Sequence, residues 1–249
     1  MKRALIAIIA AAAVCVAAVI GIVVTKHGGG PAAAGGTGSA QSAALEIIRK
    51  DYKYTKSGVE FDVHLENVGN SDKIYSLVNK LIYKNRNFDE YMEYTEKEFI
   101  EKYNGETEKF ELYEKYAVVC GNGAYIIFEN SGYEYTGGAH GSGGAGYAVI
   151  DLSEERIVDM KELISPVPDS LLDGTIKSKY DIGGYLRDNI WPPDAVNFCG
   201  ENVELLWDRY SIAPYAFGQI KIEIQDSVIK RYLTDKGEML RTGGVLYGS

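Results

Sequence analysis

The chain has 249 residues, with 46% hydrophobic, 24% charged and 11% aromatic side chains and 3 Cys. That composition excludes an intrinsically disordered chain, a collagen and a disulfide-stapled miniprotein. Lys and Arg number 26 against 35 Asp and Glu, a formal charge of -9, the wrong sign for neutralising phosphates, so nucleic acid is not an expected partner.

Met1-Lys2-Arg3 precedes Ala4 to Val24, 21 residues without a charge, amide or proline. At about 1.5 Å per residue this length crosses a bilayer as a helix, and it exceeds the apolar region of a signal peptide. The expectation is a single-pass anchor, residues 1–27, in which Cys15 is a lipid-facing or packing residue. Lys2 and Arg3 favour a cytoplasmic N-terminus and an extracytoplasmic remainder in a bacterial cell membrane, in the periplasm or on the outer surface, although Lys26 weakens that bias. Ala13, Ala17 and Gly21 lie four apart on one helix face, a small-residue pattern that allows close helix pairing. Residues 28–44 are uncharged and Gly/Ala-rich. A flexible coil of that length spans on the order of 20 to 25 Å. The domain proper is then 45–249, and without Lys2, Arg3 and Lys26 it has 23 basic against 35 acidic residues, a formal -12. It should attract cationic partners.

Val59, Phe61, Val63 and Leu65 alternate with Glu60, Asp62, His64 and Glu66, which predicts a strand with one wet face, paired to Leu45 to Tyr54 through Thr55 to Gly58. Ser71 is placed to cap a helix with apolar positions Ile74, Leu77, Val78, Leu81 and Ile82. A second helix is predicted from after Asn87 to about Tyr103, with Phe88, Tyr91, Phe99 and Tyr103 facing inward. Strands follow over Lys109 to Cys120, Ala124 to Tyr135 and Gly146 to Leu152, the last two separated by a glycine-rich loop. Asp159 can cap a short segment from Met160 to Ile164. Helix is expected around Asp169 to Tyr180 and Tyr185 to Asn189, strands at Asn202 to Trp207 and Gln219 to Ile224, and a closing helix at about Ser227 to Leu233. No repeated βα unit or phosphate loop is present, so the predicted fold class is α+β, mainly antiparallel sheet with packed helices, preceded by one transmembrane helix.

The most distinctive stretch runs from Tyr133 to Gly144, with five glycines in twelve residues. A catalytic reading makes His140 a base and Ser142 a nucleophile; the alternative is a tight loop whose imidazole satisfies backbone groups. His27, His64, Cys120 and Cys199 show no ligand spacing, so neither metal nor cofactor is expected. Cys120 and Cys199 share the oxidising compartment that the topology implies and can form a disulfide if their Cα atoms come close enough. The 19 Tyr against 7 Phe supply amphipathic contact area suited to protein or sugar ligands, or simply occupy half-buried strand positions.

Tyr133-Glu134-Tyr135-Thr136-Gly137-Gly138-Ala139-His140-Gly141, Met160-Lys161-Glu162-Leu163 and Tyr210-Ser211-Ile212-Ala213-Pro214-Tyr215-Ala216-Phe217-Gly218 occur in that order. This pattern resembles the extracytoplasmic module shared by RsiV-type lysozyme-sensing anti-sigma factors and PdaC-type peptidoglycan deacetylases. That module is called domain of unknown function 3298, with an N-terminal companion, 4163. The resemblance covers most of residues 45 to 240, with about 45–120 as the companion part and about 121–240 as the RsiV/PdaC-like part. It implies an α+β fold facing the cell wall. In the sensors the module binds lysozyme, a basic protein suited to an acidic surface. The sensors carry a sigma-binding region before the membrane helix and the deacetylases a catalytic domain after the module. Here Met1 to Arg3 precede the span and the chain closes at Ser249, so the expectation is an isolated module.

The expected function is a non-enzymatic, membrane-tethered module that binds cell-wall glycan or a cationic wall-acting protein such as lysozyme. Tyr135, Thr136, His140, Ser142, Tyr210, Tyr215 and Phe217 are the candidate contacts. The alternative is a wall-associated hydrolase using His140.

Overall fold

The computed structural model describes residues 45–103, 105, 109–242, 245 and 246. The predicted anchor and its tether lie outside the described residues, among which no helix is long and apolar enough to cross a membrane. The fold is α+β, and the described chain divides into two compact units. The first comprises the residues up to Glu114 together with Glu134–Gly141; the second comprises Lys115–Tyr133 and Ser142–Ser249. The boundary between Glu114 and Lys115 falls inside a strand.

Unit one starts with a hairpin of β1 (Ile47–Lys56) and β2 (Val59–Val68), antiparallel from Ile47 against Val68 to Lys56 against Val59. Its two-residue turn, Ser57 and Gly58, has positive φ at both positions, which matches the twist of the flanking strands. Val59, Phe61, Val63 and Leu65 are fully buried, the face that the alternation assigns to the core. Ser71 caps α1 (Asp72–Leu81) by accepting from the Ile74 amide at 3.3 Å, and Leu77 and Val78 are its buried positions. Asn87 and Glu90 form a reciprocal capping box at the start of α2 (Phe88–Lys102). Tyr83 meets Phe88 and Tyr91 edge-on at 5.5 and 5.3 Å, and Phe99 meets Phe61 and Phe110 at 6.3 and 6.2 Å. Tyr103, expected on the inner helix face, instead ends α2 and packs its ring on Phe110.

Two long strands, β3 (Phe110–Gly121) and β4 (Tyr125–Tyr135), contribute to both units. In unit two they continue into β5 (Ser142–Asp151) and the short β6 (Arg156–Ile157). A second sheet of β7 (Ala195–Asn197), β8 (Asn202–Trp207) and β9 (Ile220–Gln225) is antiparallel throughout. The helices are α3 (Asp169–Lys179), α4 (Asp226–Ile229) and α5 (Asp235–Thr242), and β10 (Val245–Leu246) pairs antiparallel with β3. Leu172 and Ile176 of α3 pack with Leu205, Trp207, Ile222 and Ile229 in one apolar core. The Trp207 indole N–H donates to the Ile190 carbonyl at 2.8 Å, so its burial leaves no donor unmet. Cys120 and Cys199 are joined by a disulfide with their Cα atoms 6.0 Å apart.

Several expectations are corrected. Residues Tyr185 to Asn189 are not helical: one 3-10 turn, Gly183–Tyr185, is followed by extended Leu186 and by Asn189 at positive φ. The closing helix shortens to α4 and a 3-10 turn, Lys230–Tyr232, after which α5 follows. Arg241 of α5 donates to the carbonyls of Phe198, Gly200 and Glu201 and pairs with Asp226 at 2.8 Å, so α5 owes its place to distant partners. Finally, the glycine-rich loop is shorter than predicted, because β5 already starts at Ser142.

Candidate functional site

The glycines of the distinctive segment serve two different needs. Gly137 and Gly138 adopt φ of 93° and 95°, a conformation that L side chains rarely take, and so they make the turn that follows β4. Within that turn Tyr135 folds back, its hydroxyl donating to the Gly138 carbonyl at 3.0 Å. Thr136 and His140 are exposed, and His140 Nδ1 lies 3.1 Å from the Gly141 carbonyl oxygen. Gly143 and Gly144 have a packing requirement instead. A Cβ on Gly143 would come within 2.6 Å of the Gly132 carbonyl oxygen on the neighbouring strand, and one on Gly144 would collide with the Asp208 carboxylate. Ser142, at the exposed start of β5, begins this stretch.

Asp208 and Arg209 directly precede the second distinctive segment, Tyr210–Gly218, and both reach the glycines at the start of β5 in unit two. Arg209 Nη1 donates to the Gly143 carbonyl at 2.9 Å. The Asp208 carboxylate accepts from the Arg209 amide at 2.8 Å and from Gln219 Nε2 at 3.2 Å, which ties the strand end to the loop beyond. Asp194 accepts from the Asp208 amide at 2.8 Å and from the Ser211 hydroxyl. The Arg187 amide donates to the Ile212 carbonyl at 2.9 Å, fastening the 183–187 turn to the same loop.

On this frame the aromatic side chains come together at the surface. Tyr210 is 53% exposed with φ of 66°, a left-handed conformation unusual for a bulky residue, and its ring centroid is 5.4 Å from that of Tyr215. The Arg209 guanidinium lies 5.5 Å from the centre of the Tyr215 ring. Phe217, in the 3-10 turn Tyr215–Phe217, lies 5.9 Å from Tyr185, which is 66% exposed. Ile212 and Ala213 between them are buried, so the loop is anchored by its middle and presents its ends.

Of the residues singled out in the sequence, Tyr210, Tyr215 and Phe217 thus share one surface in unit two, and Tyr135, Thr136 and His140 share one turn in unit one. Tyr185, Arg209 and Arg187 were missed. Tyr185 and Arg187 sat in a segment read as helix, where nothing in the local pattern marks a fold-back onto the loop at Ser211 and Ile212. Among the described residues no group of three or more His, Cys, Asp or Glu is arranged to hold a metal ion.

The arrangement is that of an α+β fold with an exposed aromatic surface held to its sheet by the hydrogen bonds of Asp194, Asp208 and Arg209. No family model matches the sequence, and no curated protein matches it. Two solved structures do share its fold. A member of the family called domain of unknown function 3298 from Bacteroides fragilis superposes with a TM-score of 0.63 at 15% identity, covering 79% of this chain and 96% of that one. A second, from Pseudomonas aeruginosa, superposes with a TM-score of 0.56 at 18% identity, covering 78% and 96%. This is the fold that the two distinctive segments imply.

Proposed function

We propose that this chain is a membrane-tethered, extracytoplasmic binding module, and that the aromatic surface of unit two takes cell-wall glycan. The observation that carries this reading is the exposure of Tyr185 and Tyr210 beside Phe217 and Tyr215. Flat aromatic faces left in water offer contact area to the apolar C–H faces of sugar rings, and their hydroxyls, with Arg209, offer hydrogen bonds. Tyr210 holds a strained backbone conformation that costs roughly 1 to 3 kcal/mol, a cost more readily understood if the ring is needed where it stands. The apolar stretch Ala4 to Val24, the uncharged tether and the resemblance to wall-facing modules support the location.

A second reading, capture of a cationic protein such as lysozyme, is favoured by the formal charge of -12 on residues 45–249. Calorimetric titration of the full chain with soluble glycan fragments and with a basic lysozyme separates the two. Saturable glycan binding that falls at least about tenfold in Tyr210→Ala and Tyr185→Ala is the expected result. Lysozyme binding that survives about 0.15 M salt, without glycan binding, would replace it by the second reading. Turnover of glycan that disappears in His140→Ala would make the chain a hydrolase instead.

A further inference from the structure

Unit one holds a basic concavity that the aromatic surface does not involve. A cavity of about 650 Å³ is lined by Lys84, Asn85 and Arg86 from the connection after α1, and by Glu90, Glu93, Tyr94 and Lys97 from α2. The α2 residues recur at three- and four-residue spacing, so they form one helix face. Lys84 and Asn85 both adopt positive φ, 56° and 63°, which folds the connection back toward that face. The Arg86 guanidinium lies 3.9 Å from the centre of the Tyr94 ring and the Lys84 ammonium 5.3 Å from it. One Arg86 Nη1 donates to the Lys84 carbonyl at 2.9 Å, which sets the plane of the guanidinium.

Lys84 Nζ is covered and makes no hydrogen bond. A desolvated ammonium with three unmet donors is costly, and burial pushes its pKa down while Glu114 and Glu98 oppose the shift. In a domain of net charge -12, two cations converging on one tyrosine, with a third, Lys97, lining the same cavity, are not explained by solubility. We propose that this concavity is a second binding site, for a small oxyanion (a phosphate or a carboxylate group) received by Lys84, Arg86 and Lys97 beside Tyr94. The guanidinium fork matches either group in a bidentate manner, and the four-carbon stem of Lys84 lets its ammonium swing toward a ligand that supplies the missing acceptors. Glu90 and Glu93, which line the same cavity, oppose extended polyanions, so the site selects a single charged group. The proposal is independent of what the aromatic surface binds.

The test is calorimetric titration of the full chain with inorganic phosphate and, separately, acetate, at low salt. Saturable binding is expected, weakened at least about tenfold by Lys84→Met and by Lys97→Met and unchanged by Lys177→Met, a surface control in unit two. Phosphate without acetate binding would assign the ligand as a phosphate, and both would assign the wider class. Lys97 is exposed, so its variant keeps the fold even if Lys84→Met does not. Absence of saturation by either probe up to roughly 10 mM, or unchanged binding in Lys97→Met, overturns the proposal.

Discussion

The two units reach their stability by different means. Unit one packs aromatic rings edge-to-face and buries carboxylates among them: Glu66 with Arg49, Glu96 with Lys56 and Tyr54, and Glu114 with Tyr91. Unit two packs mostly aliphatic side chains around Trp207 and adds the Cys120–Cys199 disulfide. Buried carboxylates respond to protons and disulfides to reductants, so the two units should answer differently to the same condition. Hydrogen exchange resolved by segment reads the two separately.

The largest difference is expected from the core of unit two. Trp207→Ala should cost about 3 to 5 kcal/mol, because it opens a cavity and strands the Ile190 carbonyl. Amides of β8 and β9 should lose protection while those of β2 keep theirs; equal losses would erase the distinction between the units. Reduction of the disulfide, or Cys120→Ala with Cys199→Ala, comes next. It closes a loop of 79 residues, for which the chain-entropy relation predicts about 4.5 kcal/mol and measured cases commonly give about 2 to 4. Denaturant unfolding with and without reductant measures it.

Acid should divide the units by sign. Burial pushes the Glu114 carboxyl up to about 7, with the Tyr91 hydroxyl bond opposing the shift at 3.1 Å. The folded form therefore holds its proton more tightly than the unfolded chain, and unit one gains stability as pH falls from 7 toward 4.5, by roughly 3 kcal/mol. Asp151 in unit two behaves oppositely. Its burial would raise it, but bonds from the Ser153 side chain, the Glu154 and Ser153 amides and Lys236 outweigh that and hold it down to about 2. Its contribution, roughly 2 kcal/mol, is present above the unfolded value of 3.8 and is lost as pH falls through 2. Glu114→Gln should flatten the gain in unit one between pH 4.5 and 7 and leave unit two unaltered; persistence of the slope would assign it to another group.

The smallest effect concerns the candidate site. Tyr210→Gly relieves the left-handed backbone and should change stability by no more than about 1 kcal/mol, offsetting the strain against the greater freedom of the unfolded chain. Glycan binding should nonetheless fall. A variant that binds as well as the parent would show the strain to be structural.

Local patterns were legible where a short stretch suffices to define its own surroundings. The alternation from Val59 to Leu65 marks a strand because side chains two apart share a face, and Ser71 and Asn87 mark helix starts because their side chains satisfy amides within three residues. The two distinctive segments, read as motifs, led to the α+β fold that the solved structures share. What required the tertiary structure are contacts that no neighbouring residue announces. Cys120 and Cys199 are 79 residues apart, Arg241 reaches the loop after Phe198, and Gly144 is constrained by Asp208. The surface of Tyr185, Tyr210, Tyr215 and Phe217 exists because Arg187 ties one turn to another loop at Ile212, and the basic concavity because Lys84 and Asn85 turn the chain back onto α2. Sequence determines which faces are apolar and where elements can start; the folded chain alone determines which faces and loops meet, since that choice is made by packing across long separations.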